Sequence, residues 1–121
     1  MNSIKDKCAI VGIGETEYSK ESGRSELSLA MEACSRAIED AGLKPEEIDG
    51  MVRFAVDPTS EEELIASLGI PELTFYDELG YTGTASGGLV AHAAMAISCG
   101  MATNVLLYRA MNGRSGRRYG A

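Results

Sequence analysis

Gly83-Thr84-Ala85-Ser86-Gly87-Gly88-Leu89-Val90-Ala91-His92-Ala93-Ala94-Met95-Ala96-Ile97-Ser98-Cys99-Gly100 is the stretch whose reading decides the fold. From about Ala85 it reads as a helix, rich in alanine and closing on Gly100, the residue type favoured just past a helix end. It carries no Asp, Glu, Lys or Arg. A helix at a water boundary shows a polar stripe, so a helix without charge on any side is expected to be buried on every side. Its small side chains also let other backbones come close. The expectation is a central helix between layers, its glycine-rich start opening into a site. Free backbone N–H groups and the positive end of the helix dipole converge at such a start, where a nucleophile or an anionic oxygen would be stabilised. Thr84 stands at that mouth, followed by Ala85-Ser86-Gly87.

The totals bound what surrounds this helix. A chain of 121 residues is one small domain or part of a larger one. A formal charge of −7 argues against a general nucleic-acid binder, which would be basic. No apolar run approaches the roughly 20 residues that span a bilayer. Met1-Asn2-Ser3-Ile4-Lys5-Asp6-Lys7 does not read as a secretory signal, and a cytoplasmic location is the default expectation. Cys8, Cys34 and Cys99 show no Cys-x-x-Cys spacing, and His92 is the only histidine, so no metal site is expected. The three cysteines are expected to be free, buried thiols in a reducing compartment.

Outward from the central helix, the remaining elements follow from periodicity and punctuation. Cys8-Ala9-Ile10-Val11-Gly12-Ile13-Gly14 is short, apolar and β-branched, and reads as a buried first strand. Its Gly12-Ile13-Gly14 resembles the start of a dinucleotide fingerprint, but Glu17 stands where the third glycine belongs and no helix follows directly. Ser25 can cap a helix to about Ala41, with Leu27, Met31, Cys34, Ile38 and Ala41 on one face and Gly42 as its stop. Lys44 to Gly50 is a turn. Met51 to Val56 is the second strand, broken by Asp57-Pro58. Ser60 and Glu63 match a capping box for a short helix to about Leu68. Leu73 to Leu79 is a strand with polar alternate positions, suited to a sheet edge that could pair with a second copy of the chain. Asn104 to Tyr108 is another buried strand, and Arg109 to Ala121 is basic and glycine-rich. Alternation of this kind predicts an α/β fold with a mainly parallel sheet. A lone layered domain would leave one apolar face of the charge-free helix in water, so a second layer is expected to cover it.

Ala9-Ile10-Val11-Gly12-Ile13-Gly14-Glu15-Thr16-Glu17-Tyr18-Ser19, then Ser22-Gly23-Arg24-Ser25, then Ala37-Ile38-Glu39-Asp40-Ala41-Gly42-Leu43, then Ile48-Asp49-Gly50 resemble the N-terminal half of a thiolase-like protein. The sterol-carrier or lipid-transfer-protein branch is the most similar, and Tyr108-Arg109-Ala110-Met111-Asn112-Gly113-Arg114-Ser115-Gly116 looks like that branch too. The resemblance runs over nearly the whole chain. It implies two similar halves stacked as an α-β-α-β-α sandwich around buried central helices. Residues 1–121 would then be an incomplete N-terminal domain whose second half is absent, and whose 121 residues alone are not expected to be active. It also implies a homodimer formed through Leu73–Leu79.

In thiolases a cysteine opens the central helix in a Cys-Ala-Ser-Gly motif. Here the matching residues are Thr84-Ala85-Ser86-Gly87, so threonine occupies the cysteine position. A thiol of pKa ~8.5 is readily turned into a thiolate at a helix start, whereas a threonine hydroxyl needs a dedicated base. His92 is eight residues along, about 12 Å at about 1.5 Å per residue. Thr84 is therefore not expected to carry an acyl group. The resemblance then points to the branch of thiolase-like aldolases that cleave β-hydroxyacyl-CoA thioesters, as in steroid side-chain breakdown, and that work with a small partner bearing an OB-like domain. The catalytic acid and base would lie in the second half.

On that reading no cofactor is bound and a CoA thioester is the substrate. Gly83, Thr84 and Ser86 would line its reacting end. Arg109, Arg114 and Arg117, with Arg118, are candidates for the CoA phosphates, since guanidinium pairs well with phosphate; a solvated loop is the plainer reading of the same residues. His92 reads as a packed helix residue, and Tyr18 and Tyr119 are candidate pocket phenols. Two other functions stay open: a non-catalytic lipid or acyl-CoA carrier, and an acetyl-CoA acetyltransferase, which the missing cysteine disfavours.

Overall fold

The computed structural model describes residues 3–80 and 85–113. Three helices, α1 (Glu26–Asp40), α2 (Glu61–Leu68) and α3 (Ala85–Ser98), alternate with three strands, β1 (Gly50–Phe54), β2 (Phe75–Leu79) and β3 (Val105–Tyr108). The sheet is parallel throughout and ordered β2-β1-β3. The predicted α/β class and parallel sheet are both present.

Local chemistry explains the helix boundaries. Ser25 opens α1, its Oγ accepting the Ser28 N–H at 3.1 Å, and Ser60 opens α2, its Oγ accepting the Glu63 N–H at 3.3 Å. Gly69 and Gly100 stop α2 and α3 with φ of +78° and +75°, a backbone state costly for other residues. The Lys44–Gly50 turn contains a 3-10 turn at Pro45–Glu47.

Side-chain alternation sorts the sheet into two faces. Met51, Leu106 and Tyr108 meet Leu29, Ala30, Cys34 and Ile38 of α1 and Leu64 and Leu68 of α2. Val52 and Phe54 meet Leu89 and Ala93 of α3 on the other side. β1 is central and all five of its residues are buried. β2 is an edge strand in which Tyr76 and Glu78 are exposed and their neighbours half-buried, as the polar alternation of Leu73–Leu79 predicts.

Two expectations need correction. Cys8 to Gly14 has no regular secondary structure and belongs to no strand, and Ile10 and Ile13 are 75% and 76% exposed. Instead of a ladder, the segment has helices for neighbours. The Cys8 thiol lies 3.5 Å from the Ala94 carbonyl of α3, the Ile13 N–H donates to Asp40 of α1 at 2.9 Å, and Arg36 donates to the Glu15 carbonyl at 2.9 Å. The glycines serve this docking: a Cβ on Gly12 or Gly14 would collide with the α1 carbonyls of Ala37 and Ala33. The Gly-Ile-Gly pattern is thus a helix contact, not a phosphate loop. Secondly, α3 is buried on one side only, through Leu89, Ala93 and Ala96. Ser86, Gly87, Val90 and Met95 are exposed, so the charge-free helix keeps the open apolar face that a single layer cannot cover.

Candidate functional site at the carboxyl edge of the sheet

Parallel strands deliver their loops to one edge, and in open α/β sheets ligands bind outside the carboxyl ends where the strand order turns back. Here the order turns back at β1, which is flanked by β2 and β3 with α2 on one face and α3 on the other. The loops leaving β1 and β3 meet at this edge through a polar cluster. Arg53 is nearly buried, and its guanidinium donates to the carbonyls of Thr59 at 2.7 Å and Asp57 at 3.3 Å and to Glu61 at 3.2 Å. Its Nε faces Glu78 at 3.5 Å, an ion pair without hydrogen-bond geometry. Tyr108 donates its hydroxyl to the Thr59 carbonyl at 3.2 Å, and burial pushes this phenol up to about 12. Arg53 and Tyr108 together hold the 57–59 loop by its backbone.

That leaves the Asp57 carboxylate free to reach across to β3. It accepts from Arg109 Nε at 3.2 Å and from the Ala110 N–H at 3.1 Å. The Asp57 side chain is 0% exposed while that of Arg109 is 42% exposed. Burial raises the Asp57 carboxyl above the usual carboxylate range, against the opposing pull of Arg109 and the Ala110 N–H. The Arg109 guanidinium also lies 4.5 Å over the Phe54 ring. Among the cations named from the sequence, Arg109 is therefore anchored at the carboxyl edge; Arg114, Arg117 and Arg118 lie outside the described residues. Just beyond it, Asn112 accepts from Ser22 at 2.6 Å and donates to the Arg24 carbonyl, joining the loop before α1 to the same edge.

Of the pocket residues predicted at the start of the central helix, Ser86 is exposed on the first turn of α3, and Gly83 and Thr84 lie outside the described residues. That first turn carries no acidic side chain to compete for its N–H groups. His92 is not simply packed: its Nδ1 is paired with the Asp77 carboxylate of β2, each side chain about a third exposed. Tyr18 is exposed and donates its hydroxyl to Glu15, and Tyr119 lies outside the described residues. Only Cys34 of the three free cysteines is buried; Cys8 and Cys99 are exposed, correcting the expectation of three buried thiols. A groove of about 550 Å³ runs between α1 and Ser67 of α2, but its Arg24 is spent on Ser28 and Glu32. Asp57 and Asp77 were both missed by the sequence reading. The first signalled only a chain break, and the second only a wet strand face.

Comparison with known proteins defines the class first. The fold is thiolase-like. An SCP2-thiolase-like protein type 1 from Mycobacterium smegmatis superposes over 81% of this chain and 22% of its own, with a TM-score of 0.67 at 22% identity. The priming β-ketosynthase of the R1128 polyketide pathway superposes over 89% of this chain and 44% of its own, with a TM-score of 0.64 at 17% identity. More similar relatives are particular enzymes. A steroid side-chain-cleaving aldolase of Thermomonospora curvata is 52% identical over 120 residues, 99% of this chain and 31% of that protein. A 17-hydroxy-3-oxo-4-pregnene-20-carboxyl-CoA lyase of Mycobacterium tuberculosis is 49% identical over 117 residues, 97% of this chain and 30% of its own. The structure described as an Ltp2-ChsH2(DUF35) aldolase matches 90% of this chain and 28% of its own, with a TM-score of 0.87 at 53% identity. The chain thus spans about a third of the length of the curated relatives it matches. No protein-family model matches it. Among the described residues no helix is long and apolar enough to cross a membrane.

Proposed function

We propose that this chain forms part of the N-terminal half of a cytoplasmic, thiolase-like acyl-CoA aldolase that cleaves a carbon–carbon bond in a steroid side-chain thioester. The observation that carries the reading is identity of about one residue in two, over nearly the whole chain, to two proteins named as such an aldolase and lyase. The lyase's name describes a hydroxyl on C17 and a thioester carboxyl on C20, which makes the substrate class a β-hydroxyacyl-CoA. Retro-aldol cleavage fits that arrangement. A base takes the hydroxyl proton, the bond between the α and β carbons breaks, and its electron pair moves onto the thioester as an enolate. Protonation of the enolate carbon then yields a shortened acyl-CoA beside a ketone.

Such chemistry needs donors for the enolate oxygen but no acyl-enzyme. The absence of a cysteine at Thr84 agrees with this, as does the uncharged first turn of α3. Gly83, Thr84 and Ser86 would line the reacting end, and Arg109, Arg114 and Arg117 would meet the CoA phosphates. The acid and base would come from the second half of the subunit. The open face of α3 would be covered by that half, the β2 edge would pair with a second copy, and a small OB-domain protein would be a further partner. The reading is tested by incubating the complete subunit, with that partner, with a β-hydroxyacyl-CoA bearing a steroid side chain. Release of ketone and shortened acyl-CoA is expected. Tight binding without turnover would identify a carrier instead.

A further inference from the structure

We propose that Asp57 is a positioning residue that presents Arg109 as a ready-made fork for the phosphate groups of the CoA thioester. This rests on the acyl-CoA reading above, and it starts from an asymmetry between two neighbouring arginines. Arg53 is consumed by the fold: its side chain is only 10% exposed, and backbone carbonyls and Glu61 accept from its two Nη atoms. Arg109 is used differently. Asp57 grips it by Nε, Phe54 covers one face of its plane, and among the described residues Nη2 donates to the Met111 sulfur at 3.2 Å. The carboxylate thus holds the guanidinium by its stem-side nitrogen, while the side chain stays 42% exposed at the carboxyl edge of the sheet.

The arrangement is one-sided. A wholly buried carboxylate is costly to keep charged, and an ion pair built for the fold alone is best closed on both partners. Here Asp57 is sealed and Arg109 is not. The same carboxylate also binds the Ala110 N–H, so it fixes the backbone that carries Arg109 as well as the side chain. An arginine whose rotamer is already paid for by its anchors loses less entropy on meeting phosphate, and the paired donors of a guanidinium match two phosphate oxygens.

The test compares the affinity of the complete subunit for CoA and for pantetheine, which lacks the nucleotide and its phosphates. The wild-type protein should prefer CoA by about tenfold or more. Arg109→Ala should bring that ratio close to one. Asp57→Asn, nearly isosteric, should lower the ratio to a similar level while leaving pantetheine affinity within about twofold, and the double variant should add nothing further. Phe54→Leu, which removes the stacking surface but not the ion pair, should give a smaller loss in the same direction, so the proposal can be judged even if Asp57→Asn fails to fold. A merely structural role predicts something else: a lower melting temperature with the wild-type CoA-to-pantetheine ratio retained in Asp57→Asn and Phe54→Leu, and that result overturns the proposal. A wild-type protein with no preference for CoA also overturns it, by removing the phosphate role of Arg109, while retro-aldol turnover in the same preparation would leave the proposed reaction standing.

Discussion

Cys34 sits against the sheet beneath α1 at 2% exposure, and burial pushes its thiol up to about 12. Only a thiolate attacks an alkylating reagent, so Cys34 should stay unmodified in the native chain at neutral pH while the exposed Cys8 and Cys99 are labelled. Peptide mapping after iodoacetamide treatment checks this, and labelling of Cys34 at the rate of the other two would contradict it. Asp57 gives a prediction with a definite sign. Its folded-state carboxyl is raised by burial, so its contribution to stability is complete below the ordinary carboxylate value and is lost as pH rises through the folded-state value. The wild-type protein should lose a little stability on this account as pH rises above the ordinary carboxylate value, and Asp57→Asn should flatten that slope. Thermal melts at several pH values would show it; parallel profiles for the two proteins would refute it. Both residues also mark what a sequence discloses. Cys34 is legible because helical spacing puts it on the apolar face of α1. The Asp57–Arg109 pair joins residues 52 positions apart across the ends of two strands, and no local pattern announces such a contact.

At the scale of elements, the capped helices were the most legible, since a serine cap, an apolar stripe and a terminal glycine all act within a few residues. Ser25→Ala and Ser60→Ala should each cost about 1 kcal/mol, measured by denaturant unfolding; no change for either would mean that its cap hydrogen bond does not stabilise the helix. The Cys8–Gly14 segment was the least legible. Its composition suits a buried strand, yet a ladder depends on a partner strand that composition cannot reveal. In the structure its glycines let it lie against α1 instead, leaving Ile10, Val11 and Ile13 outward. The charge-free helix shows the converse. Its lack of Asp, Glu, Lys and Arg predicted burial on every side, and the described residues cover one face only.

For the whole molecule, these exposed surfaces have a consequence. Ile10, Val11 and Ile13 on one segment and Val90 and Met95 on α3 stand in water as large apolar side chains, the kind of surface that, where contiguous, drives association. Purified as 121 residues, the chain should self-associate, and Ile10→Lys with Val90→Lys should reduce that association without lowering the melting temperature by more than a few degrees. Sedimentation velocity measures it, and a stable monomer at all concentrations would show that the open faces need no cover. The parallel sheet and its thiolase-like relation were legible from the order of elements and motifs, while the floor of the carboxyl edge was not, because Arg53, Tyr108 and Asp57 become neighbours only once β1 and β3 pair.

The proposed aldolase differs from a thiolase in breaking a carbon–carbon bond without an acyl-enzyme, and Thr84 stands at the position where the two chemistries would part. The decisive measurement is the intact mass of the complete subunit during turnover of a β-hydroxyacyl-CoA, taken alongside the activity of Thr84→Ala. The account predicts ketone and shortened acyl-CoA, no acyl adduct on the protein, and most of the activity kept in the variant. An acyl group trapped on Thr84, with activity lost when the hydroxyl is removed, would contradict it and return the protein to acyl transfer.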